Sequence, residues 1–233
     1  MNTTVQAITW QGLVLAFVPA AAVIGIMFRW SAGAKSGIYA TLRMLIQLLL
    51  IGYVLVYIFS ADQPGIIIAV LAIMLLAASW IAIRPVQKKN ARVYGNALAA
   101  ISVGGLLTLV LVSQFVISVE PWFSPRYVVP LAGMIFAGAM NTVSLAAERM
   151  QAEVERETSI HEARRIALQA SLIPIINSLL AVGLVALPGM MTGQILSGVS
   201  PMVAAKYQIV VMSMLFGVSG ISASMYLVLQ HRK

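Results

Sequence analysis

Three pairs of polar side chains interrupt long apolar runs in this sequence and are the first candidates for chemistry. Arg43 and Gln47 stand four residues apart, Asn141 precedes Thr142, and Asn177 precedes Ser178, three residues after Pro174. A fourth group, Met190, Met191 and Gln194, lies in an uncharged block from Leu187 to Gly198 that is broken by Pro188, Gly189 and Gly193. Polar groups in apolar surroundings are costly, so they mark solute paths or helix–helix contacts. Each asparagine either bonds a neighbouring helix or faces the other across a substrate path. Arg43 either snorkels to the surface or lines that path. The two methionines either pack or ligate a soft metal.

Catalytic patterns are absent. Gly33-Ala34-Lys35-Ser36 has the ending of a phosphate-binding loop, but Ala34 replaces the required glycine and Arg29 stands where the first glycine belongs. There is no HExxH, no GxSxG and no intramembrane aspartate pair, and the two histidines, His161 and His231, are peripheral. With no cysteine, thiolate metal sites and disulfides are excluded. The chain is expected not to be an enzyme and to bind no cofactor itself; any ATP and magnesium would sit on another chain. No metal-ligand set can be named.

The elements that must position these residues follow from composition. Hydrophobic residues make up 61% of the 233, and charged residues 9%, against roughly 25% charged in a soluble domain. Mean hydropathy is +0.95. The expected fold is an all-α integral membrane protein in one domain, 1–233. About seven transmembrane helices fall near 7–28, 38–59, 64–83, 97–118, 127–147, 167–187 and 206–229. The net charge of +8 does not indicate nucleic acid, because Lys and Arg sit at the ends of apolar runs. Arg126 and Lys206 fall on one side. The other side takes Arg29, Lys35, Arg43, Arg84, Lys88, Lys89, Arg92, Arg149, Arg156, Arg164, Arg165, Arg232 and Lys233. The positive-inside rule then places the N-terminus outside and the C-terminus in the cytoplasm. Residues 1–9 lack the basic start of a cleaved signal.

Local patterns refine this layout. Gly189, Gly193 and Ser197 are spaced for a short helix from Met190 to Ser197 with one small-residue face. It would be re-entrant or lie at the outer interface, near 189–198. Ser200-Pro201 opens the last helix. Pro174 and Pro188 are candidate helix kinks. Ala100, Gly104 and Thr108, and again Ser213, Gly217, Gly220 and Ser224, form stripes suited to close helix contact. Residues 148–166 are the one sizeable cytoplasmic connection and hold five of the seven acids. Arg149/Glu153 and Glu157/His161 have i,i+4 spacing, and Ser159-Ile160-His161-Glu162 reads as a capping box. The segment is expected to be a helical hairpin, either a solvated connector or a docking element for a cytoplasmic partner.

Several stretches resemble the FetB (YbbM) family of ABC-transporter permeases, which is linked to iron export and related to plant aluminium-tolerance membrane proteins. They include Arg43-Met44-Leu45-Ile46-Gln47-Leu48, Pro130–Ile135, Asn141-Thr142-Val143, Leu172-Ile173-Pro174 with Asn177-Ser178, the Leu187–Gly198 block, and Ala205–Ile209. The resemblance covers most of the chain from residue 43 onward. It implies a permease subunit in the plasma (inner) membrane that pairs with a second copy and with a separate ATP-binding subunit, and exports iron or another metal. In that scheme Glu153, Glu157, His161, Glu162, Arg164 and Arg165 would contact the ATPase. Arg43, Gln47, Asn141, Asn177, Met190, Met191 and Gln194 would line the path. The sequence departs from the family at Glu157–Glu162, where relatives carry a longer turn containing glycine. A non-transporting scaffold or receptor subunit and a passive channel are the alternatives.

Overall fold

A computed structural model describes residues 8–60, 63–87 and 89–230. Lys88, Arg232 and Lys233, three of the cations that orient the chain, lie outside the described residues, as do Asp62 and His231. The described residues are helical, with no strand among them. The chain divides into two compact units, Met1–Ser60 and Ala61–Lys233.

The first unit is a helical hairpin. Helix α1 (Trp10–Ala16) starts at Thr9, whose hydroxyl accepts a hydrogen bond from the Gly12 N–H at 3.1 Å. It stops at Phe17, and α2 (Val18–Arg29) begins at once. Pro19 has no N–H to carry the ladder back to Leu15, so the first expected span is two short helices in series. Gly33 turns the chain at φ 72°, a left-handed conformation that glycine adopts without strain, into α3 (Ala34–Phe59). A Cβ on Gly37 would lie 3.2 Å from the Met27 sulfur, so glycine permits the close approach of α2 to α3.

The second unit holds α4 (Pro64–Ala82), α5 (Ala91–Val110), α6 (Pro125–Glu155), α7 (Ile160–Ala181), α8 (Gly189–Leu196) and α9 (Pro201–Gln230). A π-helical turn, Leu111–Val116, extends α5. Helix α6 is the hub, packing against α4, α5, α7 and α9. Its residues Ile135, Ala139, Val143 and Ala146 are fully buried at helical spacing. Glycine sets the separation of the central helices. A Cβ on Gly104 would collide with the Ser222 hydroxyl, one on Gly105 would lie 2.8 Å from the Phe136 ring, and one on Gly138 would lie 3.1 Å from Leu215. The α5 stripe of Ala100, Gly104 and Thr108 is buried as its spacing predicts. The α9 stripe is not: the space around Gly217 and Gly220 is open, and α9 packs through Val211, Met214, Val218 and Ser222. The larger residues win there because α5 already supplies the small ones.

Among the described residues, six helical stretches are long and apolar enough to cross a membrane: Trp10–Arg29, Ala34–Phe59, Pro64–Ala82, Ala91–Val116, Pro125–Glu155 and Pro201–Gln230. Helix α7 is not among the six. It carries His161, Glu162, Arg164 and Arg165 in its first two turns, and it ends at Ala181 rather than near 187. Val182 leaves the helix with extended backbone and Gly183 has φ 81°. The N–H groups of Val185 and Ala186 then both turn back to the Ala181 carbonyl.

The glycine contact yields a direct test. Gly104→Val should lower stability by about 1–3 kcal/mol, the usual penalty for overpacking. Gly217→Ala should be neutral or slightly stabilising, by up to about 1 kcal/mol. Thermal unfolding of the purified variants checks both; equal effects at the two sites would remove Gly104 from the packing account.

Candidate functional site

Three chambers lie in a row beside α8. The first, about 660 Å³, is bounded by Tyr127, Leu131 and Met134 of α6, Met190 and Gln194 of α8, and Tyr207 of α9, with Arg126 also on its wall. The second, about 420 Å³, is bounded by Met134, Ser178, Met190, Gln208 and Met212. The third, about 350 Å³, lies against Val182, Leu187, Met191, Gln208 and Met212. Met134, Met190 and Val211 line both the first and second chambers. Val182, Gln208 and Met212 line both the second and third. Half of these shared residues are methionine, an unbranched side chain that repacks readily.

The local sequence explains this placement. Pro188 is the N-cap of α8, and its carbonyl accepts from the N–H and the hydroxyl of Thr192, at 3.0 and 3.1 Å. Pro188 thus stands between helices, as a start signal and not a kink. Gly198, at φ 92°, ends the segment. Met190 and Gln194, four residues apart, face the chambers, whereas the space around Gly189 and Gly193 is open. The expected small-residue face is therefore not the packed one. On α9, Gln208, Val211, Met212 and Leu215 form one helical face toward the second chamber.

Polarity within the chambers is sparse. Gln208 is 5% exposed, and its amide oxygen has no hydrogen-bond partner; the amide oxygen of Gln194 is buried and unpaired as well. Leaving such an oxygen unpaired costs about 1–3 kcal/mol. Ser178 donates to the Pro174 carbonyl of its own helix at 2.9 Å, and α7 runs on through Pro174 to Ala181. Among the described residues, no group of three or more His, Cys, Asp or Glu gathers to hold a metal.

The sequence-derived path residues separate into two sets. Met190, Met191 and Gln194 line chambers. Asn141 and Asn177 are both exposed and are not in the lining of these three chambers. Thr142 turns its hydroxyl to the Gly138 carbonyl at 2.9 Å. Arg43 and Gln47 are exposed residues of α3 in the first unit. Met134, Gln208 and Met212 were not singled out by pattern. The available signal was a lone glutamine in an apolar helix with a methionine one turn on.

The opposite end of the second unit is a braced hairpin between α6 and α7. The Glu153 carboxylate is buried, 2.7 Å from Arg149 and 3.4 Å from Arg156, and accepts from the Thr158 hydroxyl at 3.1 Å. Arg149/Glu153 pair as their spacing predicts. Glu157 does not act as a helical residue: it sits in the turn at φ 61°, so its spacing to His161 has no helical meaning. Ser159 caps α7 by accepting from the Glu162 N–H at 3.4 Å. The Glu162 side chain turns instead to Arg165, at 2.6 and 2.9 Å. That hydrogen bond holds the Glu162 carboxyl below the ordinary carboxylate range and raises the Arg165 guanidinium. Arg164 donates to the Leu227 and Val228 carbonyls near the end of α9, at 3.1 and 3.4 Å, a favourable place for a cation. Glu153 and Arg164 are therefore internal braces. Glu157, His161 and Arg165 are exposed and Glu162 half-exposed.

Among the described residues, six helices have the length and apolar composition to cross a membrane, and they define a multi-pass integral membrane protein. The chain belongs to UPF0014, described as an uncharacterised protein family, whose model matches residues 8–233. It is 34% identical over 229 residues to a UPF0014 membrane protein of Synechocystis sp., covering 91% of this chain and 81% of the relative. It is 33% identical over 222 residues to the "Probable iron export permease protein FetB" of Escherichia coli K12, covering 88% and 80%. It is 32% identical over 202 residues to "Protein ALUMINUM SENSITIVE 3" of Arabidopsis thaliana, covering 80% and 72%. The expected kinship with FetB-type permeases is thus established. No solved structure matches.

Removing the buried carboxylate tests the brace. Glu153→Ala should destabilise the protein by about 1–3 kcal/mol, the cost of an abandoned buried polar network. It should also speed tryptic cleavage at Arg156. Glu148→Ala, at an exposed position on the same helix, should stay within about 0.5 kcal/mol. Melting curves and a timed trypsin digest measure both; an unchanged digest for Glu153→Ala would remove the brace from the account.

Proposed function

We propose that this chain is the permease subunit of an ATP-driven metal exporter, working with a separate ATP-binding subunit and a second copy of itself in the plasma (inner) membrane. The observation that carries this reading is the pairing of two ends. A row of chambers lies at one end of the second unit and a charged, braced hairpin at the other, in a chain one-third identical to a protein named as an iron export permease. The whole chain acts as one permease domain, with no catalytic residue and no cofactor of its own. The partner supplies ATP and magnesium.

Seven spans suit this role. Helix α7 joins the hairpin to α8 and packs against both α6 and α9. Those two helices have the length and composition to cross, so α7 crosses with them, its charged first turns outside the apolar layer. Arg149, Arg156, Arg164 and Arg165 cluster at the hairpin end, while Arg126 and Lys206 lie toward α8. The cation-rich end is then cytoplasmic, with the N-terminus outside and the C-terminus inside. The exposed surface of Glu157, His161, Glu162 and Arg165 receives the ATPase. ATP binding there tilts α6 and α7 against α9 and changes access to the chambers.

Reconstitution decides between transport and a scaffold. Co-expression with a candidate ATP-binding subunit should yield a co-purifying complex, and proteoliposomes of that complex should move iron or another metal ion only when ATP is supplied. Arg165→Glu should lower that flux at least about tenfold while leaving the melting temperature of the isolated permease within a few degrees, as expected for an exposed side chain. Metal flux through the permease alone, without ATP, would instead establish a passive channel. A complex with no flux would establish a scaffold.

A further inference from the structure

The donor set of the second chamber suggests which cation it takes. Met134, Met190 and Met212 come from three different helices, α6, α8 and α9, and all line this one space. Gln208 joins them, almost fully buried and with its amide oxygen unpaired. The lining holds no carboxylate, imidazole or thiol. Hard cations such as Mg(II) and Ca(II) demand several oxygen ligands, usually carboxylates. Thioethers are soft, polarisable donors that favour closed-shell monovalent ions of the Cu(I) class. A low charge also matters, because no anion is present to offset a divalent ion in so apolar a space. The Gln208 amide oxygen is enclosed and without a partner, so a turn of the amide is what would bring it to a cation in this space.

We infer that Met134, Met190, Met212 and Gln208 form a binding site for a soft monovalent cation of the Cu(I) class, with the thioethers as ligands and the amide as the polar supplement. This rests on the metal-export reading for its biological sense, but binding itself requires no ATPase. Met190, on the short helix α8, also lines the neighbouring first chamber. A rotamer change of Met190 would therefore pass the ion between chambers.

Silver(I), a redox-inert stand-in for Cu(I), tests the site on the full purified chain in nanodiscs by titration calorimetry. The absence of cysteine removes thiolate background. The expected result is saturable binding of one Ag(I) per chain, undisturbed by Mg(II). Changes outside the ligands of metal sites already cost about 10–100-fold in affinity. The triple change Met134→Leu, Met190→Leu and Met212→Leu should therefore weaken binding by at least about tenfold. Leucine conserves volume, so the fold should persist. Met190→Leu alone, on a half-exposed side chain, gives a second reading should the triple variant fail to fold. Met44→Leu with Met202→Leu, at exposed methionines outside the chambers, should change nothing. Absent saturable Ag(I) binding, or equal affinity in the wild type and Met190→Leu, would overturn the site. ATP-driven flux of a hard metal alongside absent Ag(I) binding would discard this site and keep the exporter. Ag(I) binding without any ATP-driven flux would do the reverse.

Discussion

The close approach of α5 and α6 to each other and to α9 is the constraint on which the second unit depends. It requires hydrogen in place of a side chain at Gly104, Gly105 and Gly138, opposite Ser222, Phe136 and Leu215. In a bilayer, apolar burial gives helices little reason to associate, so close van der Waals contact must do it. Once those backbones are this near, the middle of the bundle has no room for a solute. Space lies toward the ends instead, beside α8 and in a smaller cavity of about 270 Å³ against Met150, Val154 and Tyr226 at the hairpin end. The chambers thus follow from where the tight contact is and where it stops.

Polar groups are distributed by the same logic. In the packed middle, hydroxyls such as Ser79 and Thr108 turn back to carbonyls of their own helices, at 2.8 and 2.7 Å. At the hairpin, a buried carboxylate is surrounded by two guanidinium groups and a hydroxyl. Among the described residues, the buried amide oxygens left unpaired are those of Gln194 and Gln208 near α8, alongside the Ser222 hydroxyl in the middle and Nε of Arg149 at the hairpin. Unpaired buried acceptors are retained where something is to be gained, and a transported solute is one such gain. One end of the unit thus carries a carboxylate held by three side chains, and the other carries two amide oxygens without partners.

Much of this layout was legible in the sequence. Apolar runs set most of the long helices, the spacing of Gly189, Gly193 and Ser197 marked the short helix α8, Ser200-Pro201 began α9, and Ser159 capped α7. Which face of each helix packs was not legible. A membrane helix is apolar all round, so hydrophobic periodicity carries little information about its neighbours. Small residues were the remaining guide, right for Gly104 and wrong for Gly193 and Gly217, because a gap on one helix needs filling only once. Gln208 went unnoticed for a related reason: a single amide in a long apolar helix gains meaning only when its oxygen is seen to lack a partner. Glu157 misled because i,i+4 spacing presumes a helix that the turn at Glu157 interrupts.

The central claim is that the bundle is open beside α8 and sealed through its middle. A chain without native cysteine allows single-cysteine labelling in oriented proteoliposomes with a membrane-impermeant maleimide. Gln194→Cys, at the first chamber, should be labelled from the side that carries α8 and not from the hairpin side. Val218→Cys, fully buried at the α6–α9 contact, should resist labelling from both. Labelling of Val218→Cys in the absence of ATP and partner, or labelling of Gln194→Cys from the hairpin side, would contradict the account.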